Sequence, residues 1–184
     1  MLSTTEAVEL LNKCIENENL KKHCFATQVS MEYLARKLGE DERKWSIAGL
    51  LHDIDYTETF NNSEQHSLVG SEILEKLGLS KDIVYAVKVH NEMHNLPRKS
   101  LLDKALYAVD PLTGLIVAAA LIRLEKKLSV LDFPFLIKRF NEKSFAKGAC
   151  RKQIASCKDF GFSLEEFMGV VLEAMQSIDK KLGL

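Results

Sequence analysis

A chain of 184 residues, 46% hydrophobic and 28% charged, is long enough to bury one core and gives no reason to divide it into two domains. Twenty-five Lys and Arg against 26 Asp and Glu leave a formal net charge of −1, so no global field recruits a nucleic-acid polymer or an anionic membrane, and any anion binding has to be local. The acidic start (Glu6, Glu9), the shortness of the longest apolar run (Leu115 to Ile122) and four cysteines without a Cys-x-x-Cys pair argue against a leader, a membrane span, a disulfide framework and a zinc knot, and predict a soluble, intracellular, cytoplasmic protein with reduced, mostly buried thiols.

Apolar residues recur at i, i+3 and i+4, and no alternating strand pattern stands out, which predicts an all-α fold. Ser3 and Glu6 form a capping box for a first helix whose apolar face is Ala7, Val8, Leu11, Cys14 and Ile15. A second helix spans about Leu20 to Leu38, with His23 in its first turns and Gly39 as a left-handed C-cap. Asp41 caps a third, which carries Trp45, Ile47, Leu50 and Leu51 inward and finishes near His52-Asp53, before an acidic, Asn-rich loop from Asp55 to Gln65. The fourth helix, about His66 to Leu77, ends at Gly78. The fifth, capped by Ser80, runs through Ile83, Val84 and Val87 into His90-Asn91-Glu92-Met93-His94, and Pro97 stops it. Ser100 with Asp103 opens a sixth, nearly all-apolar helix that reaches Ile122 with an interruption at Pro111; such a helix is central, and Asp110 is its buried acid. Beyond a polar stretch, a basic segment runs from Lys138 to Lys158, and Ser163 with Glu166 caps a closing amphipathic helix (Leu164, Phe167, Val171, Met175, Ile178).

The segment Ile47 to Asp55 carries the strongest chemical signal, because a run of small and apolar residues ends in His52-Asp53. Ionisable groups in such a setting need a metal, an ion pair or a reaction to compensate their burial. All five histidines lie between positions 23 and 94, four of them at or near helix ends, and imidazole with carboxylate suits a borderline divalent metal such as Mn, Fe, Co, Ni or Zn. His90 and His94 share a helical face, yet Glu92 stands midway where a zinc protease needs the acid directly after the first histidine, so that class is rejected. Phosphate-binding Gly-Lys loops, nucleophile elbows and dinucleotide fingerprints are also missing. Asp55 and Glu64, just outside the doublet, either orient a water or protonate a leaving oxygen, or else are solvated loop acids. Arg139, Lys143, Lys147 and Arg151 are spaced by four, with Lys152 adjoining; if the segment is helical they present a basic stripe to a substrate phosphate, and otherwise a solvated face.

The order His23, His52-Asp53, Asp110 resembles the HD superfamily of metal-dependent phosphohydrolases, and His52-Asp53-Ile54 its His-Asp-Ile-Gly form, with Asp55 in place of the glycine. The resemblance covers roughly residues 20 to 125 of one HD-type domain and leaves 126–184 as a C-terminal helical extension. His66-Ser67-Leu68-Val69-Gly70 is similar to the His-x-x-x-Gly helix of HD-GYP and related two-metal members, and His90-Asn91-Glu92 to their His-His-Glu segment, with Asn91 in place of the second histidine and no Gly-Tyr-Pro segment after it. What the resemblance implies is a helical bundle that holds one metal ion through His23, His52, Asp53 and Asp110, and a second through His66 and His90 with Asp53 bridging. It further implies attack of metal-activated water on a small phosphorylated metabolite, a nucleotide or a phosphate ester. Some HD proteins with two irons are oxygenases with the same ligand set, and a non-catalytic regulatory module that binds metal or ligand is the non-enzyme alternative. Substrate, metal and oligomeric state stay open.

Overall fold

The Ser3 hydroxyl accepts from the Glu6 N–H at 3.2 Å while the Glu6 carboxylate accepts from the Ser3 N–H at 2.6 Å, so the reciprocal cap written in the sequence starts α1 (Thr4–Cys14). The computed structural model describes residues 2–184, in which α1 is followed by α2 (Glu18–Leu38), α3 (Glu42–Leu51), α4 (Tyr56–Thr59), α5 (Leu68–Lys76), α6 (Lys81–His90), α7 (Leu101–Leu121), α8 (Phe133–Asn141), α9 (Arg151–Ala155), α10 (Leu164–Gln176) and α11 (Asp179–Leu182). Three 3-10 turns punctuate them at Glu92–His94, Leu128–Val130 and Ser156–Phe160, and no strand occurs among the described residues. Asn17 accepts from the Asn19 and Leu20 N–H groups and starts α2 slightly earlier than expected; Gly39 at φ 70° ends it. Asp41 accepts from the Lys44 N–H, and capping boxes at Ser100/Asp103 and Ser163/Glu166 open α7 and α10, each cap worth about 1 kcal/mol.

α7 is the axis of the bundle. By length and composition it is apolar enough to cross a bilayer, and its place explains why: α2, α6, α9 and α10 all pack on it. Leu106, Val109, Leu112, Leu115 and Ile116 are fully buried, each contributing about 1.5–3 kcal/mol of apolar burial. That packing also keeps α7 continuous through Pro111, where the sequence suggested an interruption; the proline removes only the N–H that would have bonded the Tyr107 carbonyl. α10 closes the far side with Phe167, Val171 and Met175 buried, and Cys24 and Cys157 are buried thiols while Cys14 and Cys150 are half-buried.

α2 lies against α3 closely enough that a Cβ on Gly49 would come within 2.8 Å of the Thr27 carbonyl and 3.0 Å of Met31 Cγ. Glycine is therefore what lets the two helices touch, and the contact sets His52 beside His23. Elsewhere the chain departs from the sequence pattern. The Asn-rich loop contains α4, and α5 begins at Leu68 instead of His66, because Ser67 takes the left-handed conformation at φ 71°. The basic segment is two helices with turns between them: α8 ends at Asn141, Ala146 has φ 43°, and α9 starts at Arg151, so the residues spaced by four do not share a face.

Candidate metal centre

Four helices deliver four imidazoles to one point. His52 sits at the end of α3 and His90 at the end of α6, each with Nδ1 turned back along its own helix to a carbonyl three residues earlier, Gly49 O at 2.8 Å and Val87 O at 2.6 Å. His66, just before α5, has Nδ1 at 3.1 Å from Asp55 Oδ1, and His23 of α2 has Nδ1 at 3.1 Å from the Thr113 hydroxyl, which itself donates to the Asp110 carbonyl. Three of the four Nδ1 partners can only accept, and the Thr113 hydroxyl, its own proton committed, accepts as well. Every ring therefore donates Nδ1–H outward and presents Nε2 to the middle.

The middle is the Asp53 carboxylate. Its Oδ1 lies 3.4 Å from His52 Nε2, 3.4 Å from His66 Nε2 and 3.5 Å from His90 Nε2, and its Oδ2 lies 3.6 Å from His23 Nε2. Asp110 Oδ1 adds contacts of 3.1 Å to His23 Nε2 and 3.8 Å to His52 Nε2, and the two facing nitrogens of His23 and His52 are themselves 3.1 Å apart. Ring centroids run 5.0, 5.2 and 5.1 Å along His23, His52, His90 and His66. His52 is wholly buried, His90 nearly so, and Asp110, His23 and His66 keep partial exposure.

Such a cluster of lone pairs demands positive charge. Burial pulls the His52 pKa down, but the charges of Asp53 and Asp110 outweigh it and raise it to about 9; burial opposes His66 in the same way, and Asp53 and Asp55 carry it to about 10. The imidazoles in turn hold Asp53 and Asp110 well below the usual carboxylate range against their burial. A metal ion meets the same demand. Ligands about 2.1 Å from one ion are about 3–3.4 Å from each other, close to the donor spacings here, and two overlapping groups, His23/His52/Asp110 and His52/Asp53/His90, have the donor types and spacing to hold one.

A pH dependence follows. The imidazolium–carboxylate pairs stabilise the metal-free fold fully below the ordinary histidine pKa of about 6.5, and that stabilisation is lost as pH rises through 9 to 10. A metal has to displace those protons. Loading at pH 7 is therefore expected to release protons and to tighten as pH rises from 6 to 9, which calorimetry in buffers of different ionisation enthalpy measures.

Around the donors, the structure sorts the remaining sequence candidates. Asp55 is fully buried, and its carboxylate is spent on His66 Nδ1, the Ser67 N–H (2.7 Å) and the Gly70 N–H (2.9 Å), so it positions an imidazole and caps α5 and is not free to act on water or a leaving group. A Cβ on Gly70 would lie 3.1 Å from that carboxylate, which accounts for glycine four residues after His66. Glu64 is exposed and belongs to neither group of donors. Arg151 points into the protein: its guanidinium donates to the carbonyls of Arg139, Phe140, Glu142, Phe145, Ala146 and Ala149, clasping the turns between α8 and α9. It is thereby removed from the substrate-binding set. Lys143 is exposed on the same turns, whereas Lys147 reaches the opening of the centre, a hollow of about 310 Å³ that it shares with His23, Asp110, Pro111, Gly114 and Ala149.

Several working residues left little trace in the sequence. Thr113 fixes the His23 ring, Asn91 donates to the Ser63 and His66 carbonyls, and His94 Nε2 lies 2.8 Å from the His66 carbonyl, so the latter two hold the loop that aims His66. One turn along α7 from Asp110, a cavity of about 600 Å³ is lined by Arg98, Lys104, Lys152 and Lys158 against Glu92 and Asp159. Arg98 is held there by stacking on Tyr107 at 3.6 Å and donating to the Val89 carbonyl.

Comparison with protein families matches residues 20–121, just over half of the chain, to the HD domain. Among curated proteins the chain is similar to Ribonuclease Y of Oleidesulfovibrio alaskensis (34% identical over 98 residues, 53% of this chain and 18% of that protein) and of Nitratidesulfovibrio vulgaris (33% over 98 residues, 53% and 18%). Ribonuclease Y of Lawsonia intracellularis is 30% identical over 115 residues, 62% of this chain and 22% of that protein. The chain thus spans about a fifth of the length of these relatives, and the residues matched to the HD domain include all the imidazoles and carboxylates of the centre. Family match, helical architecture and inward-facing donor cluster agree, and the chain belongs to the HD domain family.

Proposed function

We propose that this HD domain is a metal-dependent phosphohydrolase acting on a small phosphate ester, with His23, His52, Asp53 and Asp110 holding one divalent ion and His66 and His90, with Asp53 shared, holding another. The observation that carries the reading is the Asp53 carboxylate encircled by four Nε2 atoms within 3.4–3.6 Å. Bound there, a divalent cation of the Mn, Fe, Co, Ni or Zn type acidifies water and neutralises charge on a phosphoryl oxygen. The chain does the rest. Gly49 O, Val87 O, Asp55 and Thr113 lock the imidazole tautomers, the buried floor under His52 keeps bulk water to one side, and the partly exposed edge of Asp110 and His23 faces the opening where Lys147 meets an incoming phosphate.

The test is a phosphate-ester panel run on protein loaded with each metal in turn. Lys147→Ala is expected to raise KM about tenfold, with metal content unchanged, as loss of one charged hydrogen bond predicts. Asp55→Asn places an amide N–H against the Ser67 and Gly70 N–H groups and weakens the acceptor for His66. We expect a loss of 10–100-fold in affinity for the ion held by His66 and His90, and little change for the other, resolved by metal titration.

A second reading, a phosphodiester in an oligoribonucleotide, is favoured by the likeness to Ribonuclease Y and by the basic cavity at Lys104 and Tyr107, one turn along α7 from Asp110. Turnover of a short single-stranded RNA, with none of the small esters, selects it.

A further inference from the structure

On the side of the centre away from the basic cavity lies a second cavity of about 410 Å³, inside the range of about 300–1,000 Å³ typical of small-molecule sites. Ala26, Val117, Leu121 and Leu182 wall it, and Asn19 and Lys22 stand at its rim. Its inner end is His23, whose Nε2 faces Asp53 and Asp110, so one imidazole is the partition between apolar cavity and metal centre. The cavity and the opening that holds Lys147 share His23 and Gly114. Leu121, 51% exposed, carries the apolar wall out to solvent.

Gly114 is the unusual residue of this passage. It stands inside α7, where glycine is a poor helix former, and its φ is not positive, so no backbone conformation requires it. No packing contact requires it either, since a Cβ there would meet nothing within 4 Å. What the missing side chain leaves is the open floor between the Lys147 hollow and the apolar cavity.

We propose that the apolar cavity is the subsite for the ester group of the substrate, a phosphoester of an alkyl or aryl alcohol, with its phosphate beside Lys147 and its apolar group passing over Gly114 onto Val117 and Leu121. This rests on the phosphohydrolase reading above. In the reaction, water forms the new O–P bond, the O–P bond to the apolar alcohol breaks, and the water proton passes to the departing oxygen; the products are inorganic phosphate and an apolar alcohol left in the cavity.

The experiment compares binding of methyl phosphate, octyl phosphate and 1-octanol to the metal-loaded full chain by calorimetry, on wild type, Gly114→Leu and Leu121→Asn. Wild type is expected to prefer octyl over methyl phosphate by on the order of tenfold or more. Gly114→Leu, which adds a better helix former into open space and keeps its metal and its melting temperature, brings that ratio to about one, and Leu121→Asn lowers it. Equal binding of the two esters by wild type overturns the subsite and leaves the phosphohydrolase reading standing, as does a preference undiminished in Gly114→Leu. Binding of 1-octanol with no binding of either phosphate overturns the ester subsite together with the phosphate reading. If a second copy of the chain covers the wall instead, wild type sediments as a dimer that Leu121→Asn dissociates, and the octyl preference is absent.

Discussion

Asp53→Ala yields protein that retains no divalent metal after desalting and shows no phosphate-ester hydrolysis above background. The expectation comes from position: the carboxylate lies within 3.4–3.6 Å of the inward nitrogen of all four imidazoles, so its removal deletes the ligand that the two proposed ions share and leaves the rings facing one another around an uncharged gap. Mutating a residue that merely orients a ligand costs 10–100-fold in metal affinity, and loss of the shared ligand exceeds that. Elemental analysis and circular dichroism on the same sample separate loss of metal from loss of fold. Full metal retention would show that Asp53 is an ion-pair partner and no ligand.

Arg151→Met destabilises the fold by about 2–4 kcal/mol, because two carbonyls at the end of α8 and four of the turns between α8 and α9 lose their donor together while the charge that organised them disappears. Urea unfolding measures it. Since those turns carry Lys147 to the opening, KM is expected to rise in this variant as well, through loss of position instead of loss of the lysine. A variant as stable as wild type would mean that the turns find their own hydrogen bonds.

Where local chemistry decides structure, the sequence was legible. The capping boxes at Ser3, Ser100 and Ser163, the left-handed Gly39 and the apolar run ending in His52-Asp53 all act within a few residues of themselves, and each stands where the pattern puts it. The helical HD-type fold followed, and the imidazoles and carboxylates expected to meet do so. What stayed hidden is tertiary. Arg151 reads as one more cation in a periodic stripe until the turns of residues 142–150 break the period and wrap their carbonyls around it. Asp55 reads as a loop acid beside the site because nothing in its neighbourhood reveals that Ser67 and Gly70 will bring their N–H groups to it. The carbonyls of Gly49 and Val87 are a subtler case: a histidine at a helix C-terminus can always reach back three residues, and two of the four imidazoles are aimed that way.

The most direct measurement is titration of metal-stripped protein with Mn, Fe, Co, Ni and Zn at pH 8, with calorimetry for stoichiometry, elemental analysis of what is retained, and hydrolysis of a phosphate ester followed along the same titration. Wild type is expected to take up two equivalents of at least one of these metals, His66→Ala one, and hydrolysis to rise with loading. Wild-type protein that binds none of the five, or that fills both positions without hydrolysing any ester, contradicts a metal-dependent phosphohydrolase.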